Sequence, residues 1–165
     1  MNNGVQIMIA GIGSPHGDDQ AGWEVARKIE RRNYNHVCVK LARTPADLLD
    51  WIDPAMDLLI CDACQGAGEV GSVHQWEWPC GQLDEIRWSG THQMSLVGVL
   101  ALASQLGKLP QHVQIFGIEL QSPHSEETIS DIVQSGVIAA VELICEKMNP
   151  AVRQGEMEHA WFRIC

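Results

Sequence analysis

Gly11-Ile12-Gly13-Ser14-Pro15-His16-Gly17-Asp18-Asp19-Gln20-Ala21-Gly22 follows directly on the apolar run Val5-Gln6-Ile7-Met8-Ile9-Ala10. A buried strand that breaks into a glycine-rich turn and then opens a helix is where α/β proteins place ligands, because the carboxyl edge of the sheet leaves a crevice there. The chemistry of this turn is unusual for that position. A phosphate-binding loop offers backbone N–H groups to an anion, whereas Asp18 and Asp19 place two negative charges where a phosphate would sit. The turn has the character of a cation site.

Outward from the turn, Gly22, Val25, Ala26 and Ile29 fall at i, i+3, i+4 and i+7, so residues 20–32 read as an amphipathic helix with its charges outward. His36 to Ala42 reads as a less buried strand. Thr44-Pro45 offers an N-cap followed by proline at the first helical position, predicting a short helix through Trp51. Asp57-Leu58-Leu59-Ile60-Cys61-Asp62 is a second apolar run, closed by an acid. The β-α-β-α-β rhythm predicts a parallel sheet with helices on both faces. After Gly66, Val73 to Trp78 alternates in the manner of an antiparallel edge strand. Ser89-Gly90-Thr91 is expected to open a helix from His92 to Gln105 that is apolar nearly all round, His112 to Leu120 is a further core strand, and Ser130 is expected to cap the last helix, which keeps an apolar stripe to Met148. The fold class expected is a single-domain three-layer α/β/α sandwich over residues 1–150, its twisted sheet mostly parallel with one antiparallel edge strand. Residues 151–165 read as a C-terminal tail.

Composition narrows the functions open to such a fold. The 165 residues are 45% hydrophobic and 19% charged, which suits a globular chain. Eleven Lys and Arg stand against twenty-one Asp and Glu, for a formal charge of −10 that disfavours nucleic acid and anionic membranes as partners. No apolar run approaches the roughly 18 residues of a membrane span, and nothing at the N-terminus marks the chain for export, so a cytoplasmic protein is expected. The cysteines at 38, 61, 64, 80, 145 and 165 are read as free thiols of a reducing compartment. Cys61-Asp62-Ala63-Cys64 has redox spacing, yet it ends a strand where a thioredoxin-type motif opens a helix, so both thiols are read as small core or rim residues. Trp76, Trp78 and Trp88 suit packing or a partner surface. Neither a nucleophile elbow nor an H-E-x-x-H helix occurs.

The topology brings three positions together: Asp18 and Asp19 just past the first strand, Asp62 at the end of the third, and His92 at the opening of a helix. An Asp, an Asp and a His make an oxygen, oxygen and nitrogen set with open positions, suited to a borderline divalent ion such as nickel or zinc. The competing account is that each is a helix cap or dipole partner. A nucleotide or adenosylmethionine turn is the other competitor. G11-x-G13-x-x-x-G17 is only a loose version of that loop, and the second strand ends Lys40-Leu41-Ala42-Arg43, without the acid that would hold a ribose.

Four segments in register, G-I-G followed by G-D-D and Gly22, the strand L-L-I-C-D-A, T-H-Q-M-S-L-V-G-V-L-A-L-A, and F-G-I-E-L before the last helix, resemble the nickel–iron hydrogenase maturation proteases from about Ile7 to Met148. The resemblance implies an endopeptidase that removes the C-terminal extension of the hydrogenase large-subunit precursor once nickel is in place. It places the metal-contacting residues on Asp19, Asp62 and His92, with Asp18 and His16 as supporting polar groups nearby. The nickel would be carried by the precursor, and zinc or cadmium are other divalent ions such a site would accept. A nickel-binding accessory protein that does not cleave is the alternative within the same site. The chain departs from the family pattern at two places. Ser14-Pro15-His16 stands where the family has Asn and a turn one residue longer, and Leu41-Ala42-Arg43-Thr44 stands where it carries Asp-Gly-Gly-Thr, of which only the threonine matches.

Overall fold

The computed structural model describes residues 6–88, 93–121 and 127–148. Strand β1 (Gln6–Ile12) is buried from Ile7 onward, so its sequence shows none of the alternation of a one-sided strand. It pairs in parallel with β2 (Val37–Ala42) on one flank, from Ile7↔Val37 to Ile12↔Ala42, and with β3 (Met56–Gln65) on the other, from Gln6↔Met56 to Gly11↔Cys61. β3 continues in parallel to β6 (Val113–Glu119), which is flanked by the antiparallel edge strand β4 (Val73–Glu77). The order is β2-β1-β3-β6-β4, with the two-residue β5 (Arg87–Trp88) antiparallel against Cys64 and Gln65 of β3. The chain therefore moves outward from β1 to β2 and returns on β1's other side, which places the switch point between β1 and β3, as expected.

Alternation along the strands sorts the core into two layers. Helices α1 (Ala21–Glu30) and α3 (Asp131–Met148) cover the face carrying Ile7, Ile9, Leu59, Cys61, Phe116 and Ile118. Helix α2 (Leu96–Gln105) and the 3-10 turn Pro45–Asp50 cover the opposite face, with Met8, Ala10, Ile12, Leu58, Ile60 and Ile115. This is the three-layer sandwich expected, with β4 as its antiparallel edge strand, and the two-residue β5 adds a second antiparallel pairing that the sequence reading did not include.

Four expectations are corrected. Asp62 does not close β3, because pairing with β6 continues through Ala63↔Ile118 and Cys64↔Glu119 while β5 takes up the flank that β1 vacates beyond Cys61. α2 starts at Leu96, where the extended Ser95 accepts the Gly98 N–H on its Oγ at 3.1 Å. The expected start at Ser89 to His92 lies outside the described residues, as does the tail after Met148. Only one face of α2 is buried, through Leu96, Val99, Leu100 and Ala103, and Leu106 is 58% exposed. The segment after Thr44 winds as a 3-10 turn, and another 3-10 turn, Gly17–Gln20, precedes α1.

What lets α1 lie directly on the sheet is a pair of glycines. A Cβ on Gly22 would overlap the carbonyl oxygens of Ile12 and Cys61, and one on Gly11 would overlap that of Gly22. Gly22→Ala is expected to cost about 3 kcal/mol or prevent folding. Gly81→Ala, where an added Cβ meets nothing within 4 Å, should stay within about 0.5 kcal/mol. Urea unfolding followed by circular dichroism measures both.

Candidate active site

Asp62 is fully buried, at 0% exposure, and pairs with Gly117 of β6. By strand alternation its side chain shares the α2 face with Ile60. On its other flank the last β1–β3 pair is Gly11↔Cys61, one residue earlier, so Asp62 stands at the row where the sheet opens between β1 and β3. This is the mouth of the crevice at the switch point.

The turn after β1 lies against β3. Gly17 takes the left-handed conformation at φ 49°, and two backbone bonds close the turn: the Asp19 N–H donates to the His16 carbonyl at 3.1 Å and the Ser14 N–H to the Asp19 carbonyl at 3.3 Å. The adjacent acids have different fates. Asp18 is 7% exposed, and its Oδ1 accepts the Ser130 N–H at 2.7 Å while its Oδ2 accepts the Ser130 hydroxyl at 3.1 Å. It is an anion at the N-terminus of α3, where the helix dipole favours it. Ser130 holds the N-cap position through its carbonyl, which accepts the Gln134 N–H at 2.8 Å, but its hydroxyl donates to Asp18 and does not perform the capping expected of it. Asp19 is half-buried, and among the described residues its carboxylate has no hydrogen-bond or ion-pair partner. The His16 side chain is exposed, and within the described residues His16 contributes its carbonyl to the turn.

Of the sequence-predicted trio, the structure brings the turn of Asp19 against the strand of Asp62, and His92 lies outside the described residues. Among the described residues no three His, Cys, Asp or Glu side chains are grouped to hold a metal ion. The described part of the candidate site is two carboxylates, one desolvated and one half-exposed, whose oxygen donors fit a divalent cation that brings ligands of its own.

The acid nearest to Thr44 after β2 is engaged within its own turn. The Ala42 carbonyl accepts the Trp23 indole N–H at 2.7 Å and the Gly13 N–H at 3.1 Å, fastening β2 to the turn. Asp47 lies three residues beyond Thr44, but its Oδ2 accepts the Arg43 and Thr44 N–H groups at 2.8 and 3.1 Å, and the Thr44 hydroxyl lies 3.3 Å from its Oδ1. It caps the 3-10 turn and is held there.

Glu119, inside the F-G-I-E-L segment, has a role that sequence reasoning missed. It is 5% exposed, and its carboxylate accepts the Gly66 and Ala67 N–H groups at 2.7 and 2.9 Å and the Cys64 thiol at 3.7 Å. It holds the glycine-rich loop after β3 onto the end of β6. An acid followed by a buried end of strand, opposite a loop rich in glycine N–H groups, was the available signal.

Cys61 and Cys64 lie on opposite faces of β3, since residues three apart in a strand point apart and their Cα atoms stand about 10 Å from each other, beyond disulfide reach. Both are free. Burial, with the neighbouring carboxylates of Asp62 for Cys61 and of Glu119 and Asp62 for Cys64, pushes both thiols far above the ordinary range. At pH 8 a thiol reagent should modify the half-buried Cys38, Cys80 and Cys145 well before Cys61 and Cys64, which should react only in urea, and mass spectrometry after oxidation should show no bridge between them. Glu119→Ala is expected to cost about 3 kcal/mol by removing a charged acceptor from two backbone N–H groups; Asp18→Ala should cost about 1 to 2 kcal/mol through the lost cap of α3. Thermal or urea unfolding checks both.

The sequence model of the hydrogenase maturation protease family HycI matches residues 24–147. A comparison with curated protein sequences gave no match. Among solved structures, the chain is similar to the hydrogenase maturating endopeptidase HybD from E. coli, with a TM-score of 0.70 and 18% identity over 92% of this chain and 94% of that one. It is similar also to the [NiFe] hydrogenase maturation protease HybD from Thermococcus kodakarensis, with a TM-score of 0.66 and 21% identity over 88% of this chain and 100% of that one. A hydrogenase 2 maturation peptidase from Thaumarchaeota archaeon SCGC_AB-539-E09 matches with a TM-score of 0.63 and 23% identity, over 87% and 98% of the two chains. At these identities the structures establish the shared fold, and the match of the family model over most of the length establishes descent: the chain belongs to the hydrogenase maturation protease family.

Proposed function

We propose that the protein is an endopeptidase that removes the C-terminal extension of a nickel–iron hydrogenase large-subunit precursor after nickel insertion, with Asp19, Asp62 and His92 contacting the precursor's nickel. The observation that carries this reading is the division of labour at the crevice: Asp62 is buried where the sheet opens, and in the turn packed against its strand Asp19 has no carboxylate partner among the described residues while Asp18 is held by Ser130. A site made for an anion would have backbone N–H groups there in place of carboxylates. The nickel arrives with the substrate, so the protein needs only to complete its coordination and thereby seat the scissile bond. An ion so held supplies Lewis-acid polarisation of the scissile carbonyl or of a bound water. Zinc or cadmium would serve as stand-ins for binding measurements.

The protein's own groups orient the chemistry. A desolvated Asp62 has few alternative conformations, because β3 is paired on the β6 side through that row, and the turn of Asp19 is closed by its own backbone bonds. Pre-set ligands of this kind avoid reorganisation on binding. No helix among the described residues is long and apolar enough to cross a membrane, and cytoplasmic action on the unfinished large subunit is part of the same proposal.

Incubation with nickel-loaded and nickel-free precursor tests it. Loss of the extension only with nickel is expected, and binding without any cleavage would instead favour a non-cleaving accessory role. Asp62→Asn, Asp19→Asn and His92→Ala should each lower processing more than about 100-fold, in the range of losing a group that positions the reacting centre, with the circular dichroism spectrum unchanged. Full activity in any of the three would remove that residue from the site.

A further inference from the structure

At the opposite end of the sheet from the crevice, α1 and α3 border a groove of about 270 Å³ lined by Lys28, Arg31, Arg32, Ile138, Val141 and Glu142. Ile138, Val141 and Glu142 sit at i, i+3 and i+4 on α3 and share one face of it, while Lys28 lies in the last turn of α1 and Arg31 and Arg32 just past its end. Its charge is the reverse of the protein's. The chain carries −10 overall, yet this groove has three cations and one acid. Arg32 is paired with Glu142 at 2.6 Å, and Arg27, one turn earlier, with Glu24 at 2.8 Å. Among the described residues Lys28 and Arg31 enter no ion pair. Between these two cations and Glu142, Ile138 is 52% exposed.

The dipole of α1 accounts for cations in its last turn. It does not account for their standing over a groove with an exposed isoleucine. An acidic segment with one apolar side chain matches both features: its carboxylates would neutralise Lys28 and Arg31, and its apolar group would cover Ile138. The net negative charge of the chain disfavours such a segment on the protein's surface in general, and the local excess of cations at this groove offsets that.

We infer that the groove between α1 and α3 is a docking site for an acidic segment of the protein substrate, remote from the crevice. This rests on the proposed function for the substrate's identity, and on the groove's charge and shape for the site. Docking of this kind acts on encounter and affinity and leaves the bond-breaking step alone.

Steady-state processing by Lys28→Glu/Arg31→Glu is the test. KM for the precursor should rise about tenfold with kcat within about twofold, and raising salt from 0.1 to 0.5 M should raise the wild-type KM while barely moving that of the variant. Lys28→Arg/Arg31→Lys should keep the wild-type KM, and thermal unfolding verifies that the charge-reversed protein is folded. An unchanged KM in the folded charge-reversed variant overturns the inference. A second arm separates it from the proposed activity: nickel-loaded precursor bound to Asp62→Asn protein, followed by fluorescence anisotropy, should weaken about tenfold on adding the groove reversal. Groove-dependent binding without any cleavage by the wild type would sink the protease reading alone, whereas groove-independent binding would sink the docking site.

Discussion

The contact on which the rest of the architecture depends is the one between the start of α1 and the backbone of two strands. Gly22 lies against the carbonyl oxygens of Ile12 and Cys61, and Gly11 lies against Gly22. Bare backbone on both sides brings the first turn of the helix down onto the sheet at the row where β1 ends. The turn from Gly13 to Gln20 is then held against β3, with Asp18 committed to Ser130 at the start of α3. A methyl group at either glycine would lift the helix, and with it the turn, away from Asp62.

Much of this was legible in the sequence because it is local. The continuous apolar runs of β1 and β3, the period of α1 and the alternation of β4 each state their own burial, and together they specify the strand order around the switch point. What was not legible depends on partners distant along the chain. Asp62 reads as a strand end because its run of apolar residues stops there, but β5 and β6 carry β3 on to Gln65. Ser130 reads as a cap, yet the acid that engages its hydroxyl is 112 residues away. The segment Ser89 to Thr91 looks like a helix start, and Ser95, four residues past Thr91, has the cap geometry.

The site itself was partly legible. Asp19 and Asp62 follow from the topology, whereas Glu119 does not, because its task concerns a loop folded over from another strand. Its carboxylate, the Gly66 and Ala67 amides and the Cys64 thiol join the end of β6 to the exit of β3. Backbone bonds from Gly71 to Glu119 and from Glu119 to Ser72 extend the same attachment. The glycine-rich loop after β3 is thereby fixed by one buried acid. After β2 the opposite holds: Asp47 is near the place where the family keeps an aspartate, but it is committed to the Thr44 turn.

Asp18 and Asp19 are chemically identical neighbours, and only the backbone tells them apart. One half-turn of 3-10 winding sends the first carboxylate to the head of α3 and leaves the second without a partner among the described residues. Sequence comparison sees only a pair of aspartates. An alignment displaced by a single position would assign the mooring of α3 to Asp19, whose carboxylate is not engaged there, and miss Asp18, which performs it.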